Sequence, residues 1–151
     1  MAKIFVIAAE NSDNEEYSNF LENLQSTARS ALEVWDLEKV YSKRKQLKGG
    51  KTFSEKLKSQ LQSATAIVFV TSSELKNFLD GKSASMAAHK DYITKDERDV
   101  ILSFCRKEAG KRRIILSFGS VMMPNVLSDG DKNYQNFLDA DMHRLIADLN
   151  P

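Results

Sequence analysis

Few side chains in this sequence could do chemistry, and most familiar arrangements are missing. No G-x-G-x-x-G or G-x-x-x-x-G-K-[ST] follows the first apolar run, so neither loop that seats phosphates on a helix N-terminus is present. Gly49-Gly50-Lys51-Thr52 has the tail of a phosphate loop, but it follows a polar stretch and not a strand. It reads as a turn ahead of a helix capped by Thr52 or Ser54. No G-x-S-x-G occurs, and neither His89 nor His143 lies near a nucleophile in sequence. Cys105 is the single cysteine, so no internal disulfide can form and a zinc site lacks ligands.

Two features remain. Trp35-Asp36 ends a short β-branched segment. An indole beside a carboxylate at the ligand edge of a sheet can stack a flat ring, or it can be a half-buried core group. Lys39, Lys43, Arg44, Lys45, Lys48 and Lys51 crowd the stretch that follows. They could meet an acidic partner or a phosphate-bearing ligand, or simply be solvated. No aromatic series interleaves with these cations, which argues against single-stranded nucleic acid.

The elements that must position these groups follow from hydrophobic periodicity. Lys3–Ala9 is continuously apolar, as a strand covered on both faces requires. Tyr17, Phe20, Leu21, Leu24 and Ala28 predict a helix over Asn14–Ser30. Ala31–Asp36 is a second strand. Phe53, Leu57, Leu61 and Ala64 mark another helix, and Thr65–Thr71 is the clearest strand. Glu74–Lys95 reads as a polar surface excursion with one helical turn at Leu75–Leu79. A helix over Asp96–Glu108 stops at Gly110, a suitable C′ residue. Arg113–Phe118 is a fourth strand, Met123–Leu127 a helical turn or edge structure, and Asn136–Leu149 the last helix. Alternating buried strands and amphipathic helices predict an α/β domain with an open parallel sheet and helices on both faces. In such sheets ligands bind beyond the carboxyl ends of the strands, here after Ala9, Asp36, Thr71 and Phe118.

The 151 residues suit one domain, and 42% apolar with 28% charged residues excludes disorder and collagen-like repeats. A net charge of +1 provides no general attraction to nucleic acid or lipid. No apolar run approaches the ~20 residues of a membrane span, and a lone cysteine suits a reducing cytoplasm.

Taken together, KIFVIAAENSD, the VWD strand end, FSEKLKSQLQSA, TAIVFVTSS and RRIILSF…MMPNVL resemble a TIR (Toll/interleukin-1 receptor) domain or its relative, the SEFIR domain. The resemblance spans nearly the whole chain as an order of elements with short patches. It implies a flavodoxin-like parallel sheet of about five strands in a single domain, residues 1–151. It also implies one of two functions. Some TIR domains break the nicotinamide–ribose bond of NAD⁺, hydrolysing or cyclising it. Others are catalytically silent adaptors that associate with themselves or with other TIR/SEFIR domains through the loop after the second strand, here Leu37–Thr52 with Lys43, Arg44, Lys45 and Lys48.

The NAD⁺-cleaving members rely on a Glu at the start of the helix after the third strand. This sequence lacks the family's Trp-Cys-x-x-Glu-like stretch, and Glu74 follows Ser73 at once. Glu97 is therefore the position that corresponds, with an ordinary helix N-terminal carboxylate as the alternative. On the enzymatic reading Glu97 is catalytic, Trp35 stacks a ring, and Ala9, Glu10, Asp36, Ser72 and Ser73 line the pocket. The protein then keeps no cofactor of its own, since NAD⁺ is the substrate. The enzyme is expected ahead of the adaptor because the chain starts at Met1 and reads as one compact domain without an attached membrane or death-type segment.

Overall fold

The computed structural model describes residues 2–9, 15–29, 31–42, 53–88, 91–119 and 122–150. In chain order the elements are β1 (Ala2–Ala8), α1 (Glu15–Ala28), β2 (Leu32–Asp36), α2 (Leu37–Ser42), α3 (Phe53–Ser63), β3 (Ala66–Val70), α4 (Ser73–Leu79), β4 (Met86–Ala88), β5 (Asp91–Ile93), α5 (Lys95–Cys105), β6 (Arg112–Leu116), β7 (Lys132–Tyr134) and α6 (Met142–Leu149).

The continuous apolar runs form the middle of the sheet because a residue there meets helices whichever way it points. Strand order is β2-β1-β3-β6-β7 with every neighbour parallel, the flavodoxin-like arrangement. In β1, Ile4, Val6 and Ala8 face one core, joined by Tyr17, Phe20 and Leu24 of α1 and by Met142, Leu145 and Leu149 of α6. Phe5 and Ile7 face the other core, shared with Leu57 and Leu61 of α3, Leu75 and Phe78 of α4 and Ile101 and Phe104 of α5. Among the described residues no helix is long and apolar enough to cross a membrane.

Several elements depart from the sequence reading, each for a local reason. Asp36 does not end in open loop. Its Oδ1 accepts the Lys39 N–H at 2.8 Å and caps α2, a helix the polar composition concealed. The excursion holds a full helix, α4, and an antiparallel strand pair, β4 and β5, whose Met86 and Ile93 plug the α5 side of the core. The last helix starts at Met142 and not Asn136, because Asn136 has φ 49° and cannot open a right-handed helix. The fifth strand, β7, lies in a stretch that shows no strand period in sequence. It is a three-residue edge strand with only Tyr134 buried.

Asp80, at the end of α4, ties this face together. Its Oδ2 accepts from Lys76 Nζ at 2.7 Å and its Oδ1 accepts the Asn125 N–H at 2.9 Å. Burial pushes the Asp80 pKa up, but the Lys76 hydrogen bond, the Asn125 N–H and the Lys76 charge outweigh it and hold the carboxyl below its ordinary value. A depressed folded pKa stabilises above the unfolded value of 3.8 and is lost as pH falls through the lower folded one. Asp80→Asn should therefore cost about 1.5–3 kcal/mol near neutral pH by urea unfolding. Its deficit relative to wild type should shrink below pH 3.8; a deficit independent of pH would contradict this account.

Candidate functional site

Parallel pairing brings the loops after β1, β3, β6 and β7 to one edge. On the α1 side of that edge lies a cavity of about 310 Å³, lined by Glu16, Asn19, Phe20, Phe118, Phe137, Leu138 and Asp139. The volume is at the small end of ligand pockets. Phe118 follows β6, Phe137 follows β7, and α1 follows β1, so three separate segments build the wall. Phe20 meets Phe118 edge-on at 5.8 Å and Phe137 edge-on at 5.5 Å, and Phe137 meets Tyr134 at 5.8 Å. The Phe137 N–H donates to the Ser117 carbonyl at 2.8 Å, which fixes the turn that carries the ring. Tyr134 in turn donates to Asp148, and burial followed by that bond pushes its phenol up to about 12.

The polar part of the lining is acidic. Glu16 sits in the first turn of α1, where the macrodipole favours a carboxylate. No described residue hydrogen-bonds or pairs with it. Asp139 is held by Asn23, whose Nδ2 donates to Oδ1 at 3.3 Å. Asn19 adds an amide. An apolar aromatic wall with carboxylates beside it suits an electron-poor or cationic ring.

The residues expected to form the site are not brought together there. Trp35 does not stand at the carboxyl rim as a stacking face. Its side chain turns to the α2 and α3 side, buried at 7%, with Lys3 Nζ 4.8 Å and Lys39 Nζ 4.5 Å from the ring. Its Nε1 donates to Glu33 at 2.9 Å. Asp36 is the α2 cap described above. Ser72 caps α4, its Oγ accepting the Leu75 N–H at 3.2 Å, and Ser73 is the exposed first residue of that helix. Ala9 is buried at the end of β1. Glu97 does lie at the carboxyl end, but on α5, whose core residues pack on the opposite face of the sheet from Phe20 and Phe137. Its Oε1 accepts the Thr94 N–H at 3.0 Å and the Thr94 hydroxyl at 3.4 Å, a helix-capping role, and it lines neither cavity described here. Glu10, Lys43, Arg44, Lys45 and Lys48 fall outside the described residues.

Cys105 is a buried thiol that desolvation pushes up to about 12, against a smaller opposing pull from Arg113, so it is no nucleophile at neutral pH. Among the described residues no group of three or more His, Cys, Asp or Glu is placed to hold a metal ion.

No protein-family model and no curated protein sequence matches the chain. Its backbone is similar to that of FerB, a flavoenzyme NAD(P)H:(acceptor) oxidoreductase from Paracoccus denitrificans, with TM-score 0.55 and 10% identity over 99% of this chain and 95% of that one. Smu.1420 from Streptococcus mutans UA159 aligns over 98% and 96% at 13% identity, with TM-score 0.43. The FerB likeness supports the flavodoxin-like fold. It also corrects the expectation of a protein without a resident cofactor, because a protein of this fold over the same length is a flavoenzyme. The described lining meets a flavin only halfway. Its aromatic wall suits an isoalloxazine ring, whereas Glu16 and Asp139 would repel the phosphate and none of the described lining residues is a Lys or Arg to receive it.

The capping role of Glu97 is testable by stability. Glu97→Ala should cost about 0.5–2 kcal/mol in urea unfolding, and Glu97→Gln, which keeps an acceptor oxygen, should recover most of it. Equal stability of Glu97→Ala and wild type would remove the cap.

Proposed function

We propose that this chain is a TIR-like domain that binds NAD⁺ at the carboxyl edge of its sheet and breaks the nicotinamide–ribose bond. The observation that carries the reading is the aromatic cavity with two carboxylates, Glu16 and Asp139, in its lining. Nicotinamide in NAD⁺ is a flat cation. Phe118, backed by Phe20 and Phe137, gives it an apolar wall, and the carboxylates offset its charge. That charge favours nicotinamide over a neutral isoalloxazine ring. FerB, an NAD(P)H:(acceptor) oxidoreductase of similar fold, lends support that such a fold can serve a nicotinamide nucleotide.

In the reaction the C–N bond to ribose breaks heterolytically. The electron pair leaves with nicotinamide, which becomes neutral, and the ribose carbon becomes an oxocarbenium-like cation. Glu16, the carboxylate without a described partner, is assigned to face that developing charge. Water, or a nucleophile within the same molecule, then adds to the cation, and water's proton is released. Asp139, anchored by Asn23, is assigned to orient the ring. The same reading puts the protein in the cytoplasm, where NAD⁺ is available and the single Cys105 stays reduced.

Purified protein incubated with NAD⁺ should release nicotinamide, and Glu16→Gln should lower kcat by about 10²–10³. Glu97→Gln should leave kcat within a few-fold of wild type. Inactive wild type, or a fully active Glu16→Gln, would overturn the assignment. Inactivity combined with concentration-dependent association would favour the adaptor reading. A flavin spectrum in the purified protein would favour the second reading that FerB supports, a ring cofactor in this same cavity.

A further inference from the structure

The aromatic cavity suits a ring that carries positive charge and is poorly furnished for a phosphate. Among its described lining residues Glu16 and Asp139 are acidic, Asn19 offers a neutral amide, and none is a Lys or Arg. Backbone donors of the turn beside it are spent. The Phe137 N–H donates to the Ser117 carbonyl at 2.8 Å, and the Leu138 N–H donates to Asp141 Oδ2 at 3.0 Å. The positive end of the α1 dipole, which could draw an anion, is met by Glu15 and Glu16 in its own first turn. In sequence, residues 10–14 between β1 and α1 add Glu10 and Asp13 and no Lys or Arg.

The cations of the neighbourhood are committed or lie elsewhere. Behind the wall, Arg144 and Lys132 stand over the Tyr134 ring at 5.0 and 5.9 Å. Arg144 Nη2 is 3.3 Å from Asp141 Oδ1, and Lys132 Nζ is 4.0 Å from Asp148 Oδ2. Lys107, Lys111, Arg112 and Arg113 line a second cavity, of about 290 Å³, at the amino-terminal end of β6. There Lys111 Nζ donates to the Ala64 carbonyl at 2.6 Å, and Arg113 Nη1 to the Cys105 carbonyl and Asp129 Oδ1, each at 2.8 Å. Size points the same way as charge. A volume of about 310 Å³ accommodates a pyridinium ring with its ribose, whereas the rest of a dinucleotide has to lie outside.

Resting on the reading of this cavity as a nicotinamide site, we propose that its preferred substrate is the phosphate-free N-ribosyl pyridinium, ahead of phosphorylated forms of the same ring. The riboside is a net cation, and nothing in it offsets the attraction of Glu16 and Asp139. In the mononucleotide and in NAD⁺ the phosphates outweigh the charge of the ring, and the same carboxylates repel them. The chemistry is unchanged. The C–N bond breaks, its electron pair leaves with neutral nicotinamide, the oxygen of water bonds to the ribose carbon, and a proton of that water passes to solvent. What differs is the electrostatic cost of bringing the substrate in, so the preference lies in kcat/KM and fades as salt screens it.

The test is nicotinamide release by the purified full chain from nicotinamide riboside, nicotinamide mononucleotide and NAD⁺ at one ionic strength. The kcat/KM for the riboside should exceed that for each phosphorylated substrate by about tenfold or more, as a reversed net charge beside carboxylates implies. Asp139→Asn should shrink this ratio several-fold, whereas a merely structural defect would lower all three rates alike. NAD⁺ cleaved as well as the riboside overturns the preference and leaves the NAD⁺ reading standing. Riboside cleaved without NAD⁺ removes NAD⁺ as the substrate and keeps the preference. Release from none of the three sinks both, and a ratio unmoved by Asp139→Asn overturns the role of this cavity in the preference.

Discussion

The structure depends on side-by-side parallel pairing of strands that are buried on both faces. Residues of β1 and β3 reach 0% exposure whichever way they point, so these strands cannot slip by one residue without exchanging the two cores. Parallel pairing also demands a helix-sized return after each strand. Every loop that leaves a carboxyl end is thereby gathered on one edge, and the C-termini of α3 and α5 are sent toward the other. The positions of both cavities follow from that one constraint.

The two edges differ in charge because they differ in what they must satisfy. At the carboxyl edge α1 opens with Glu15 and Glu16, and acidic side chains there complement the positive end of the helix dipole. At the amino edge Lys111 and Arg113 bond to the final carbonyls of α3 and α5. Glu16, at the carboxyl edge, is not consumed by these structural duties. The sheet also divides the carboxyl edge itself. The aromatic rings belong to the face covered by α1 and α6, and Glu97 to the face covered by α3, α4 and α5. A site assembled from both would have to reach across the strand ends.

How much was legible in sequence varies with the physics involved. β1, β3 and β6 were readable because burial on both faces writes an apolar run, and the edge strand β2 by Leu32, Val34 and Trp35. β7 was not, since an edge strand of three residues with one buried side chain leaves no period to detect. The Glu97 cap was readable after the fact, because Thr94 precedes it at the spacing of a capping box. Of its two readings Trp35 takes the core one, for a reason of parity. It pairs with Phe5 and so points to the same side, under α2 and α3, whereas a ligand-stacking ring has to come from beyond the strand end, as Phe118 does. The aromatic cavity itself had no local signature. Phe20, Phe118 and Phe137 are far apart in sequence and meet only because α1, β6 and β7 end up side by side.

The central claim, that the nicotinamide ring enters the cavity between α1 and the loops after β6 and β7, is tested most directly by mapping NAD⁺ onto the ¹⁵N spectrum of the catalytically disabled Glu16→Gln chain. The account predicts shifts concentrated at the amides of Asn19, Phe118, Gly119, Phe137 and Asp139, with Thr94–Glu97 unmoved. Shifts centred on Thr94–Glu97, or none at saturating NAD⁺, would contradict it.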